Sequence, residues 1–163
     1  MKKIGLLSDT HGFLYEGLFK FFSDCDEIWH AGDWGCLSIY DALSAFKPIR
    51  GVYGNIDTSK IRHILPMNLQ FCIEDVNVFM THIGGYPGKY DRKAINEIIK
   101  RTPKLFICGH SHILKVIYDK EFKMLSVNPG AAGKYGFHTV STAVRFYINK
   151  DRIENLEVLE YEK

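Results

Sequence analysis

The chain has 163 residues, 46% of them hydrophobic and 25% charged, which is the make-up of one soluble globular domain spanning 1–163 with a sizeable core. Twenty-one basic against nineteen acidic residues leave a net charge of +2 with no basic block, so no charged surface for nucleic acid is expected. No apolar run approaches the roughly 18 residues that would span a bilayer, and the stretch from Met1 meets Asp9 too soon for an export signal, so no membrane partner and a cytoplasmic location are expected.

Lys3 to Leu7 reads as a strand, left through Ser8-Asp9-Thr10-His11-Gly12. Apolar residues at 14, 18, 21 and 22 predict a helix over Phe13 to Phe22. Glu27 to Ala31 is a second strand ending in Gly32-Asp33, followed by a helix from Ser38 to Phe46 with Ser38 as its N-cap. Pro48 to Tyr53 is a third strand, closed by Gly54-Asn55-Ile56-Asp57, and Thr58 to Ile64 reads as a short helix or a loop. Strand, loop and helix in repetition favour a parallel sheet with helical crossovers.

The second half differs. Leu65 to Ile73 and Val76 to Thr81 are strands joined by the Glu74-Asp75 turn, and the second delivers His82. Gly84, Gly85, Pro87 and Gly88 mark a loop, and Asp91 to Arg101 is a helix with apolar positions at 94, 95, 98 and 99. Lys104 to Cys108 is a buried strand that stops at Gly109-His110-Ser111-His112. Val116 to Tyr118 with Met124 to Val127 form one hairpin, and Thr142 to Ile148 with Ile153 to Leu159 another, on either side of the turn-rich Asn128-Pro129-Gly130 loop. Two sheets packed face to face, with helices outside, would bury both sets of strands. Cys25, Cys36, Cys72 and Cys108 form no Cys-x-x-Cys pair and sit in or beside apolar segments, as free thiols do in a reducing compartment.

Five strand-ending loops carry metal-competent groups: Asp9 with His11, Asp33, Asn55, His82, and His110 with His112. In open α/β sheets such loops form the ligand site. A mixed oxygen and nitrogen set without thiolate suits manganese, zinc, iron or nickel better than calcium, magnesium or a structural zinc. Seven ligands are too many for one ion that also holds water, so they divide over two divalent transition-metal ions. Asp33 is the natural bridge, since a carboxylate has two oxygens and its loop offers no other ligand. Asn55 can bind only through its neutral carbonyl oxygen.

Asp9-x-His11, Gly32-Asp33, Gly54-Asn55, Thr81-His82 and Gly109-His110-x-His112, in this order, resemble the motifs of the calcineurin-like metallophosphoesterases. Asn128-Pro129-Gly130 and the short length are similar to the small single-domain phosphodiesterase subfamily, which also contains the small retromer subunit, a scaffold. The resemblance covers residues 1 to about 148. It implies a four-layer α/β/β/α sandwich, with Asp9, His11, Asp33 and His112 on one metal and Asp33, Asn55, His82 and His110 on the other. The implied reaction is hydrolysis of a phosphate ester by in-line attack of a hydroxide shared between the ions, with Asp33, Asn55 and His82 in the catalytic machinery and manganese the first candidate metal. Two divalent ions, two carboxylates and that hydroxide sum to about +1, which attracts a phosphate ester, the expected small-molecule partner. A homo-oligomer is compatible with the sequence.

Two positions depart from the family pattern. Many members carry His straight after the metal-binding Asn, where it donates a proton to the leaving group; here Ile56 stands there and cannot do acid–base work. Where members often show His-Gly-His, this chain has His82-Ile83-Gly84. His30, inside a strand, reads as a hydrogen-bonded core residue, and His63 as a surface one. His138 and Tyr53 are equally well a loop residue and a sheet-packing aromatic, or groups lining the pocket. The rival functions are a non-catalytic metal-binding scaffold like the retromer subunit and a phosphomonoesterase, the latter disfavoured by Ile56.

Overall fold

Alternation along the strands organises the molecule. The computed structural model describes residues 1–163. Its strands form two five-stranded sheets. The first contains β1 (Lys2–Leu7), β2 (Glu27–His30) and β3 (Ile49–Gly51), running parallel. The second begins with β4 (Asn68–Ile73) and β5 (Val76–Thr81), which is antiparallel to β4. The Gly-rich segment that follows is itself a small hairpin, β6 (Gly85–Tyr86) with β7 (Lys89–Tyr90). β8 (Leu105–Ile107) lies parallel to β5, and β9 (Leu114–Asp119) and β10 (Met124–Pro129) complete that sheet in the order β4-β5-β8-β10-β9. β11 (Val140–Asn149) and β12 (Arg152–Glu162) return to the first sheet, whose order is β12-β11-β1-β2-β3.

Successive side chains of a strand point to opposite faces, and here both faces are covered. Ile4 and Leu6 of β1 meet Val78 and Met80 of β5 and Leu105 and Ile107 of β8 in a core between the sheets. Leu7 and Ile28 face the other way, onto Leu18, Ile39, Leu43 and Ile61 of three helices. These are α1 (Gly17–Phe21), α2 (Leu37–Phe46) and α3 (Ser59–Ile64). Phe79 and Phe106 point outward from the second sheet, onto Ala94 and Ile98 of α4 (Arg92–Arg101). This gives helix, sheet, sheet and helix in layers, the sandwich expected. Fully burying each such aliphatic or aromatic side chain stabilises the fold by about 1.5–3 kcal/mol.

Some boundaries moved. The helix expected over Phe13 to Phe22 is only α1, because Phe13 N–H bonds back to Thr10 O in a tight turn that must first leave the site loop. α2 starts one residue earlier than expected, with Cys36 rather than Ser38 at its N-cap. The segment around Thr58 to Ile64 is helical, and Asp91 caps α4 by accepting from the Lys93 and Ala94 N–H groups. No helix is long and apolar enough to cross a membrane.

Candidate metal centre

The parallel strands β1, β2, β3, β5 and β8 end at one edge of the sandwich, and the loops leaving them carry all seven expected ligands. Five of these residues hold left-handed backbone: Asp9 (φ 53°), His11 (46°), Asp33 (58°), His110 (69°) and His112 (60°). Asp and His tolerate this region better than most residues, yet each such position costs on the order of 1–3 kcal/mol, a cost that clusters at functional sites. The loops also approach closely. A side chain at Gly109 would lie 2.7 Å from Asp9 Oδ2, and one at Gly54 would strike Asp33 Oδ1.

The ligating atoms fall into two groups, Asp9 with His11 and His112, and Asp33 with His82 and His110, each within 4.8 Å. One oxygen of each carboxylate is held by the scaffold. Asp9 Oδ2 accepts from Ser8 Oγ (2.6 Å) and His110 N–H (3.0 Å), and Asp33 Oδ1 accepts from Ile56 N–H (3.2 Å). The other oxygen of each is aimed at the imidazoles. Asp9 Oδ1 lies 3.2 Å from His112 Nε2 and 3.8 Å from both His11 and His82 Nε2. Asp33 Oδ2 lies 3.2 Å from His82 Nε2 and 3.7 Å from His11 Nε2, so this single oxygen faces both groups. Asn55 stands beside them, exposed, on the wall of a cleft that it shares with His82.

His82 is fixed by its far side. Its Nδ1–H donates to Ala31 O at 2.8 Å, which leaves a lone pair on Nε2. That Nε2 and Asp9 Oδ1 are buried acceptors without a hydrogen-bond partner. A buried polar atom left unpaired costs about 1–3 kcal/mol, and a cation in front of each of these atoms, one in each group, removes that cost. Separations within each group agree: Asp9 Oδ1 to His112 Nε2 and Asp33 Oδ2 to His82 Nε2 are both 3.2 Å, and two donors each about 2.0–2.2 Å from a shared ion stand roughly 3.0–3.5 Å apart. Donor chemistry, unpaired atoms and spacing all fit divalent transition metals.

Charge tells the same story. Burial pushes the Asp9 carboxyl up, but the imidazoles of His11, His112 and His82 crowded around it, with the Ser8 hydroxyl, bring it far below the ordinary range. Burial also opposes ionisation of Asp33, and His82 and the Ile56 N–H outweigh it, so its carboxyl is lowered too. Two buried carboxylates are thus held ionised and call for positive charge.

His30 is no ligand. It is fully buried, its Nδ1 accepts from Gly32 N–H (3.1 Å), and its Nε2–H donates to Thr10 Oγ1 (3.0 Å), which donates to Trp34 O. The ring stacks on Trp34, and burial pushes its pKa down to about 3, so it stays neutral, as the core reading requires. His63 is exposed, as expected. His138 packs edge-on to His112, its Nε2–H donating to Gly133 O and its Nδ1 buried without a partner. Three supporting residues carry no role in the sequence reading. Asp57 accepts from Gly35 and Gly54 N–H groups and ties the Asp33 loop to the Asn55 loop. Asn128 donates to Gly109 O and Ser111 Oγ, pinning the loop that carries His110 and His112. Tyr135 lies against the His11 ring. The sequence signal for Asn128 was its Asn-Pro-Gly setting; Asp57 and Tyr135 gave none beyond proximity.

With this geometry in view, the calcineurin-like phosphoesterase superfamily domain matches residues 1–151. The chain belongs to that superfamily. A probable metallophosphoesterase of Methanothermobacter thermautotrophicus is 30% identical over 139 residues, covering 78% of this calcineurin-like chain and 76% of that protein. Among solved structures, Vps29 of Chaetomium thermophilum superposes with a TM-score of 0.77 at 15% identity over 100% of both chains. Vps29 of Entamoeba histolytica, complexed with zinc, gives 0.75 at 15% identity, covering 98% of each chain. A Thermotoga maritima protein gives 0.74 at 20% identity, covering 98% of this chain and 100% of that one. These likenesses show the metallophosphoesterase fold, shared with the small subfamily to which the Vps29 proteins are related.

Proposed function

We propose that this chain is a phosphodiesterase that works with two divalent transition-metal ions, one held by Asp9, His11, Asp33 and His112 and the other by Asp33, Asn55, His82 and His110. The observation that carries this reading is the pair of adjacent three-residue groups, each with its own carboxylate, in which Asp9 Oδ1 and His82 Nε2 are buried and unpaired. Asp33 is the shared ligand through Oδ2, the atom that faces His11 and His82 alike. When bound, the ions would supply Lewis-acid charge and a low water pKa at neutral pH. The chain's own residues keep the geometry: Ser8, the His110 N–H and the Ile56 N–H fix the carboxylates, and Ala31 O fixes the His82 tautomer.

Diesters suit the site better than monoesters. Ile56 is 44% exposed and brings an aliphatic side chain where a proton donor would assist the leaving group. A leaving group must then depart as its anion, which favours good leaving groups. Manganese is our first metal, with zinc, iron and nickel as alternatives; the zinc described in the Entamoeba relative supports a borderline metal. A scaffold reading draws on the Vps29 likeness, but a scaffold has no need of seven ligands with buried, unpaired atoms. The test is turnover of bis(4-nitrophenyl) phosphate and of 4-nitrophenyl phosphate with added manganese. We expect the diester to be hydrolysed faster and the activity to vanish on chelation. No turnover of either ester with any of the four metals would leave the scaffold.

A further inference from the structure

On the Asn55 and His82 side of the centre opens a cleft of about 690 Å³ whose walls also carry Tyr53, Arg62, Met67 and Lys93. Its charges are unevenly committed. Asp91 keeps its negative charge but turns Oδ1 to the first turn of α4, accepting from Lys93 and Ala94 N–H, and Glu97 is neutralised by Arg101. The cations have no acidic partner. Arg62 donates Nε to Asp57 O (2.7 Å) and Nη2 to Asn55 O (3.1 Å), both neutral carbonyls, and lies 4.7 Å above the Tyr53 ring. These contacts fix the guanidinium in place and leave Nη1 free, with Nη2 on the backbone carbonyl of Asn55, itself an expected metal ligand. Lys93 is exposed at the start of α4. Met67, 48% exposed, and Tyr53 supply apolar wall between. A neutral alkyl or aryl arm gains little from two uncommitted cations. A carboxylate or phosphate gains a planar, pre-placed guanidinium and an ammonium.

Building on the phosphodiesterase reading, we propose that this cleft binds a second negative group, so that the substrates are phosphodiesters with one arm ending in a carboxylate or a phosphate. The test holds the leaving group constant. A set of 4-nitrophenyl phosphodiesters differs only in its second arm: propyl, choline, 3-carboxypropyl or 2-phosphoethyl. kcat/KM for the better anionic arm should exceed propyl about tenfold at low salt, and choline should fall below propyl. The preference should shrink in 0.5 M salt as exposed charges are screened, and the stronger anionic arm identifies carboxylate or phosphate as the group recognised. Lys93→Gln and Arg62→Gln should each pull the anionic-to-propyl ratio toward one. Because that ratio is read within one variant, any general loss of metal or fold cancels. Equal turnover of propyl and anionic esters, or a ratio kept in both variants, overturns the proposal while the phosphodiesterase reading stands. No turnover of any ester overturns both.

Discussion

Asp57 sits where the Asp33 loop meets the Asn55 loop, and Asp57→Asn probes how tightly that junction must be held. The carboxylate is 4% exposed and accepts from Gly35 N–H at 3.0 Å and from Gly54 N–H at 2.7 Å. Asparagine keeps one acceptor oxygen and turns an NH2 toward the other N–H. One bond to a charged acceptor, worth about 1.5–3 kcal/mol, is lost, and a buried N–H is stranded at about 1–3 kcal/mol. Relaxation of the loop recovers part of this, so the expected destabilisation is about 3 kcal/mol. Gly54 stands directly against Asp33 Oδ1, so its displacement reaches the carboxylate that faces both ligand groups. Metal affinity should therefore fall roughly 10–100-fold, as it does when the groups that orient ligands are altered. Urea unfolding under chelation reads the stability, with the midpoint lowered and the slope unchanged. Calorimetric titration with manganese reads the affinity. A stability change below about 0.5 kcal/mol together with wild-type affinity would refute the clamp.

Asp33→Asn should lose most bound metal and nearly all turnover, because one neutralised oxygen weakens both groups; wild-type turnover with two bound ions would assign the shared ligand elsewhere. His30→Ala leaves Thr10 Oγ1 and the Gly32 N–H without their partner and a void against Trp34. Unfolding measurements should show a loss of about 3–4 kcal/mol while elemental analysis still finds metal; loss of metal without loss of stability would make His30 a ligand after all. Ile56→His should raise kcat/KM most on diesters with poor leaving groups and flatten its dependence on leaving-group pKa. Equal slopes would mean that another residue already donates, and His138→Ala would then steepen the wild-type line.

What the sequence reveals of this molecule follows from where its physics is local. An apolar run of alternating environment, such as Lys104 to Cys108, is a strand in any arrangement, and Asp or His at its end is visible one residue later. The candidate metal-binding residues of the two clusters were therefore legible, and the two-sheet sandwich with them. The Phe13 to Phe22 helix was overread because its apolar spacing is set by packing against Leu7 and Ile28, whereas its start is set by the bonds that tie His11 and Gly12 to Asp33 and Trp34. Ser38 lost the N-cap to Cys36 because that extended loop turns into helix sooner than its side chains suggest. The small hairpin at Gly85 and Tyr90 could not be read, since two residues per strand leave no periodicity. The bond from Gly35 N–H to Asp57 and the pinning by Asn128 were hidden for another reason. They join residues distant in the chain, and only the assembled loops bring them together.

The dinuclear centre is the central claim, and metal stoichiometry tests it most directly. Protein saturated with manganese and freed of excess by gel filtration should carry two equivalents per chain by elemental analysis. One equivalent or none, from folded protein, would contradict it.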